Sequence, residues 1–188
     1  MENTSIAKRN DYLETYTGMD IDVVNPDPTR IIIEDIAHAL SNICRYGGHS
    51  SYFYSVGQHS IIVSREIERL GYGPGIQLYG LLHDASEAYI CDIPRPTKKN
   101  IIGYLEMETN MQNTIYKALD IEKPDTNITN IVTIVDYEVL QYEARRLMKK
   151  HSWAKDNCIK IDADIKYMPM KEVKKEFLKM YEKLKNIT

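Results

Sequence analysis

Two histidines and two aspartates stand in an order that could hold a metal ion. They are His59 in SVGQHSIIV, the adjacent pair His83 and Asp84 in LLHDASEAYICDIPRP, and Asp136 in IVTIVDYEV. Two neutral imidazoles and two carboxylates suit one divalent cation while leaving positions open for water or a substrate oxygen. The set accepts Mn, Co, Fe, Ni or Zn, whereas Mg prefers all-oxygen donors. Glu87 follows His83 by four residues and Asp84 by three. On a helix it would share their face without being needed as a ligand, which is where a general acid or base belongs. Asp136 is flanked by Ile131, Val132, Ile134 and Val135. A carboxylate there is costly to bury unless it is paired or binds metal. His38, His49 and His151 read as ordinary core or boundary histidines.

Positive charge gathers near these residues. Arg45 precedes Gly47 and Gly48, and Arg95, Lys98 and Lys99 decorate DIPRPTKK directly after the His-Asp segment. A basic cluster beside a metal suits a phosphate-bearing ligand. The plainer alternatives are compensation of a helix C-terminus for Arg45 and solvation for the lysines, and for Lys99 solvation is the better reading.

The elements that must position these groups are mostly helices. Residues 11–28 alternate loosely, and TYTGMDIDVV reads as a short β-hairpin or extended arm. From Thr29, Ile32, Ile33, Ile36, Ala37, Leu40 and Ile43 recur at helical spacing, with Gly47 and Gly48 as the expected stop. Ser55 is the expected cap of a second helix that carries His59 and stops at Gly71. A third helix is expected from about Ile76 to Tyr89, containing His83 and Asp84, and the two prolines of DIPRP predict a loop. Further helices are expected from about Ile101 to Leu119, Ile128 to Met148 and Met170 to Lys185. The predicted fold is mainly α, a compact helical bundle with a short N-terminal hairpin or arm. It divides into an arm (1–28), a catalytic helical core (29–150) and a C-terminal loop with an amphipathic helix (151–188).

Composition narrows the function classes. The chain has 188 residues, 43% hydrophobic and 27% charged, with a net charge of -3. That is the profile of one globular domain, without the basic field of a polymeric nucleic-acid or membrane binder. The three cysteines, Cys44, Cys91 and Cys158, lack CxxC spacing, so neither a disulfide framework nor a zinc knuckle is expected. The segment MENTSIAKRNDY has no apolar core of a signal peptide, and a cytoplasmic protein is expected.

The order His…His-Asp…Asp resembles that of the HD-domain metal-dependent phosphohydrolases. The strings IEDIAHALSNICRYGGHSSYFYSVGQHSIIVS and LLHDASEAYICDIPRPTKK are similar to YfdR-type prophage phosphohydrolases and to phage deoxyadenosine-triphosphate triphosphohydrolases. More distantly they resemble the YfbR-type 5'-deoxynucleotidases, which share the HDASE stretch. The resemblance runs from about Tyr16 to the final helix. It implies an α-helical HD fold that hydrolyses the 5' phosphate ester of deoxynucleotides in the cytoplasm, that of the host if the protein is phage-encoded. Carried over by position, His59, His83, Asp84 and Asp136 would ligate one divalent transition metal, with a further Mg on the substrate phosphates. Glu87 would orient or activate the attacking water, Asp92 would bind the sugar, and Arg45 and Lys98 would hold phosphate. Tyr46 would stand beside the nucleoside and offer a stacking face. Gly57 replaces a common alanine, which reads as harmless. Thr133 stands where a triphosphate-specific relative would carry lysine, which weighs against the triphosphate substrate. Deoxyribonucleotides, purines first, are the expected small-molecule partners. Relatives form dimers or rings, so a homo-oligomer is expected, with DIAHAL and the final helix as candidate faces. The competing reading is a non-catalytic HD-fold module that binds nucleotide or a partner. Such a module would have no use for Glu87 and Asp92 beside intact ligands.

Overall fold

The computed structural model describes residues 12–187. It is mainly helical, with one short antiparallel pair near the N-terminus, β1 (Leu13–Glu14) and β2 (Asp20–Ile21), in which Leu13 faces Ile21. Residues 1–11 of the expected arm lie outside the described residues. Buried Asp35 pins the hairpin to the first helix. It accepts from the Thr15 hydroxyl, the Thr17 amide and the Thr17 hydroxyl, each at 2.8 Å.

Helix α1 (Ile33–Asn42) buries Ile36, Ala37 and Leu40. It ends earlier than its apolar pattern predicts. Ser41 Oγ donates to the Ala37 carbonyl at 2.6 Å and Asn42 Nδ2 to the His38 carbonyl at 2.8 Å. These side chains compete for backbone groups that would continue the helix. The chain then turns extended. Cys44 bridges to Ser55, and the Arg45 amide donates to the Tyr54 carbonyl at 2.8 Å. Gly47 and Gly48 therefore close a separate 3-10 turn rather than α1, and Tyr46 and Gly47 take left-handed φ values of 57° and 58° there.

Helix α2 (Val56–Arg69) starts at Ser55, whose hydroxyl accepts the Gln58 amide at 3.1 Å. It is buried on nearly every face, as expected of a helix at the centre of a bundle. One apolar cluster gathers α1 and α2 residues with Val173 and Phe177, and the other sets Ile62, Val63 and Ile67 against Val132, Val135 and Val139. Helix α3 (Pro74–Leu82) packs tightly on α2. A Cβ at Gly80 would stand 2.4 Å from Ile67 Cδ1. Gly57 is also a contact point rather than a neutral replacement, because a Cβ there would meet Val173 Cγ1 at 3.1 Å and the Leu40 carbonyl at 3.2 Å.

The third helix of the sequence reading is broken. Residues 83–86 form successive turns, and α4 (Glu87–Ile90) follows. Amide bonds from Ala85 to Leu82 and from Glu87 to Asp84, both 3.0 Å, span three residues instead of four. This tightens the backbone where the His-Asp pair sits. After Pro94, α5 (Arg95–Lys98) adds a short helix where a loop was predicted, with proline tolerated in its first turn. Then come α6 (Tyr104–Ala118), α7 (Thr126–Leu147) and α8 (Met170–Lys185). Helix α7 is capped by Asp125, which accepts the Ile128 amide at 2.7 Å. Helix α8 buries Val173, Phe177 and Leu184 against α1, α2 and α3. The apolar stripes of DIAHAL and of the final helix thus pack inside the chain. Among the described residues, no helix is long and apolar enough to cross a membrane.

Candidate metal centre

Three separate elements bring the histidines and aspartates together. His59 lies one turn into α2 and is fully buried. His83 and Asp84 occupy the tightened turn after α3, and Asp136 projects from the middle of α7. One donor atom each from His59, His83 and Asp84 lie within 4.8 Å of one another. Asp136 Oδ1 joins them at 2.9 Å from His59 Nε2 and 3.7 Å from His83 Nε2. The Asp84 and Asp136 side chains keep 23% and 26% of their surface open, so the cluster is reachable from solvent.

The hydrogen bonds fix which atoms are available. His83 Nδ1 donates to the Gly80 carbonyl at 2.8 Å, which leaves Nε2 as the free ring atom. That Nε2 is buried and has no hydrogen-bond partner, although Asp84 Oδ2 stands 3.2 Å away. An unpaired imidazole nitrogen beside two carboxylates fits a borderline divalent cation. His59 Nδ1 donates to Glu143 Oε1 at 2.9 Å. A histidine oriented by a carboxylate in this way presents its other nitrogen as a ligand. The charge balance points the same way. Burial would lower the pKa of both histidines, but their carboxylates outweigh it. Glu143 and Asp136 raise His59, and Asp84 and Asp136 raise His83 far more. Burial would raise Asp84, yet the His83 charge holds it down to about 2. Asp136 lies well below the usual carboxylate range because His59 and His83 override its burial. A cation competes with protons for these same atoms.

Glu143 is the site residue that sequence reasoning missed. It is fully buried and accepts Tyr54 Oη at 2.5 Å and Tyr46 Oη at 3.4 Å, with Arg45 Nε 3.5 Å away. The available signal was spacing, since Glu143 follows Asp136 by seven residues and so repeats its face two turns along α7. Arg45 is buried between Glu143 and Asp84, whose Oδ2 lies 3.4 Å from its Nη1. It belongs to the site and does not cap α1. Tyr46 is half-buried, with its hydroxyl committed to Glu143.

The remaining candidates form an acidic and basic layer beside the ligands. Glu87 is 4% exposed, and its Oε2 is buried without a partner. Burial first, then the charges of Asp84 and Asp92, push its carboxyl well above the usual range. Asp92 is half-buried and raised chiefly by burial, with Arg45 and Lys98 pulling it back. Lys98 Nζ lies 2.5 Å from Glu108 on α6 and 3.8 Å from Glu87. Glu108 is a second partner that no local sequence signal announced. Arg95 and Lys99 are exposed. Between Glu87 and Asp92, Cys91 takes φ 67° and ψ 156°, a region nearly confined to glycine and costing about 1–3 kcal/mol. Its amide is held by the Glu87 carbonyl at 2.9 Å and its carbonyl by Tyr104 Oη at 2.9 Å.

A cavity of about 210 Å³ opens beside the cluster, walled by His83 and Asp136 together with Tyr79, Tyr116, Ile128, Val132 and Thr133.

No family model matches the chain. Over 106 residues it is 40% identical to the uncharacterized protein YfdR of Escherichia coli, a match covering 55% of this chain and 56% of that protein. Over 105 residues it is 36% identical to an uncharacterized protein of Rhodobacter capsulatus, covering 53% and 54% respectively. The chain thus spans about half the length of the curated relatives it matches, and what it shares with them is likeness over that half.

Proposed function

We propose that this chain is a metal-dependent phosphohydrolase of the HD type that cleaves the 5' phosphate ester of deoxynucleotides and releases the deoxynucleoside. The observation that carries this reading is the convergence of His59, His83, Asp84 and Asp136 around a buried, unpartnered His83 Nε2. These four residues would hold the cation. When bound, a divalent cation supplies Lewis acidity to a phosphoryl oxygen and lowers the pKa of a water.

The chain's own side chains have the remaining tasks. Glu87 stands beside the ligands with a buried, unpartnered Oε2, so it can take a proton from the attacking water and pass one to the leaving 5' oxygen. Water oxygen bonds to phosphorus, the bond from phosphorus to the 5' oxygen breaks, and that oxygen takes a proton. Arg45, with Nη1 3.4 Å from Asp84 and Nε 3.5 Å from Glu143, would hold phosphate with the guanidinium donors these two contacts leave over. Lys98 reaches a phosphate by exchanging its bond to Glu108. Asp92 would accept a hydrogen bond from the 3'-hydroxyl of the sugar, and a sugar seated closely on the DIPRP segment would penalise a 2'-hydroxyl.

Chromatographic product analysis over a panel of dNMPs, dNTPs and rNTPs, each with Mn, Co, Zn, Ni, Fe or Mg, tests the reading. Release of deoxynucleoside with phosphate or triphosphate supports it. Nucleotide binding without turnover under every metal would instead favour the non-catalytic module.

A further inference from the structure

We infer that the cavity beside His83 and Asp136 receives the uncharged, planar organic half of the phosphoester, a nucleobase in the reading above, on which this inference rests. Recognition of that half is then made by a wall of its own, apart from the cationic side chains.

Away from its cluster end, the lining of the cavity offers phosphate no cation and suits a ring. No lysine or arginine lines it. The two cations proposed to hold phosphate lie outside it, Arg45 beside Asp84 and Glu143, and Lys98 beside Glu108 and Glu87. Beyond His83 and Asp136 at the cluster end, the side chains that line it offer an anion no charged donor. The walls are instead aromatic and aliphatic. Tyr79 and Tyr116 meet edge to face with centroids 5.8 Å apart. Both rings are fixed, Tyr79 by donating its hydroxyl to the Glu122 carbonyl at 2.8 Å and Tyr116 by burial. Preordered rings bind a planar group at little entropic cost.

Position and size narrow the occupant further. Tyr79 precedes His83 by four residues on α3, and Thr129, Val132 and Thr133 precede Asp136 by seven, four and three on α7. Tyr79, Val132 and Thr133 therefore stand about one helical turn, roughly 5–6 Å, from a proposed metal ligand, and Thr129 about two turns away. That is within reach of a group esterified to a phosphate at the cluster. The volume, about 210 Å³, is below the roughly 300–1,000 Å³ of pockets that enclose a whole ligand. It fits one ring system and leaves sugar and phosphate outside. The Thr129 hydroxyl is occupied by the Asp125 carbonyl at 2.8 Å. Thr133 is exposed and offers its hydroxyl as a polar contact at the rim. Tyr46, which the sequence suggested as the stacking face, does not line this cavity.

The test uses the full chain loaded with Mn and titrates deoxyadenosine and inorganic phosphate separately by calorimetry. Thr133→Trp plugs the cavity from an exposed helix position, and Ile128→Trp plugs it from the adjoining turn if the first variant misfolds. The expected result is deoxyadenosine binding weakened about 5- to 150-fold, the range for losing one stacked base, with phosphate affinity and metal content unchanged. Deoxyadenosine binding that is equal in wild type and a folded plug variant, or absent from wild type, overturns the inference. Failure of the Mn-loaded wild type to bind phosphate or hydrolyse any nucleotide counts against the phosphohydrolase reading itself, so the two failures are distinguishable.

Discussion

Glu143→Gln separates support of the metal centre from general stability. The carboxylate takes hydrogen bonds from His59 Nδ1 at 2.9 Å and Tyr54 Oη at 2.5 Å and faces Arg45 Nε at 3.5 Å, all without exposure to water. Glutamine keeps the shape and removes the charge, and its NH2 group meets donors wherever it points. Breaking a buried ion pair from one side costs about 3–5 kcal/mol. Arg45 retains Asp84 at 3.4 Å, so the lower end, about 3 kcal/mol, applies. For a chain of this size that lowers Tm by about 6–12 °C. Loss of the group that orients a ligating histidine also weakens metal affinity about 10- to 100-fold. Thermal unfolding and chelator competition with Co or Mn read the two effects. Glu66→Gln is the control. Glu66 is also buried and holds Arg69 Nε at 2.7 Å, but away from the cluster, so its loss should destabilise without weakening metal binding. Wild-type metal affinity in Glu143→Gln, or equal weakening in both variants, would refute the role assigned to Glu143.

The remaining expectations follow from the same geometry. Asp84→Ala should lose both metal and hydrolysis, as read by elemental analysis and product release. Glu87→Ala should retain the metal and lose about 10²–10⁴ in turnover, and a metal-free variant would make Glu87 a ligand instead. Gly57→Ala should destabilise the fold by about 1–3 kcal/mol in urea titrations, because its Cβ would press on Leu40 and Val173. Stability should also fall on acidification through His38. This ring stacks on Tyr16 at 3.8 Å, with Lys174 over the same tyrosine at 4.2 Å. Burial and then Lys174 lower the His38 pKa from 6.5, against the opposing pull of Asp35 and Glu34. The unfolded chain therefore takes up the proton first, and the contribution present above about pH 6.5 is lost as pH falls through the folded-state pKa. His38→Gln should flatten the Tm profile in that window.

The ligand candidates were legible because their chemistry shows in short strings: an adjacent His-Asp pair, a capped helix carrying His59, and an aspartate among β-branched residues. The elements carrying them were legible from apolar spacing, and the Ser55 cap lies where its residue type suggests. What surrounds the ligands was less so. Glu143 meets His59 across 84 positions of sequence, and Lys98 chooses Glu108 over solvent through the packing of α6. Local spacing also could not show that the backbone tightens at His83 or that α1 stops at Asn42. Ser41, Asn42 and three-residue hydrogen bonds decide those points, and they compete with a helical pattern that continues past them.

Release of deoxyadenosine from dAMP and dATP by chelator-stripped protein, before and after Mn or Co is restored and beside Asp84→Ala, tests the central claim most directly. The structure leads us to expect no release from stripped protein, release on reloading, and none from the variant. Full-rate release from metal-free protein, or none from reloaded wild type that demonstrably holds its metal, would contradict it.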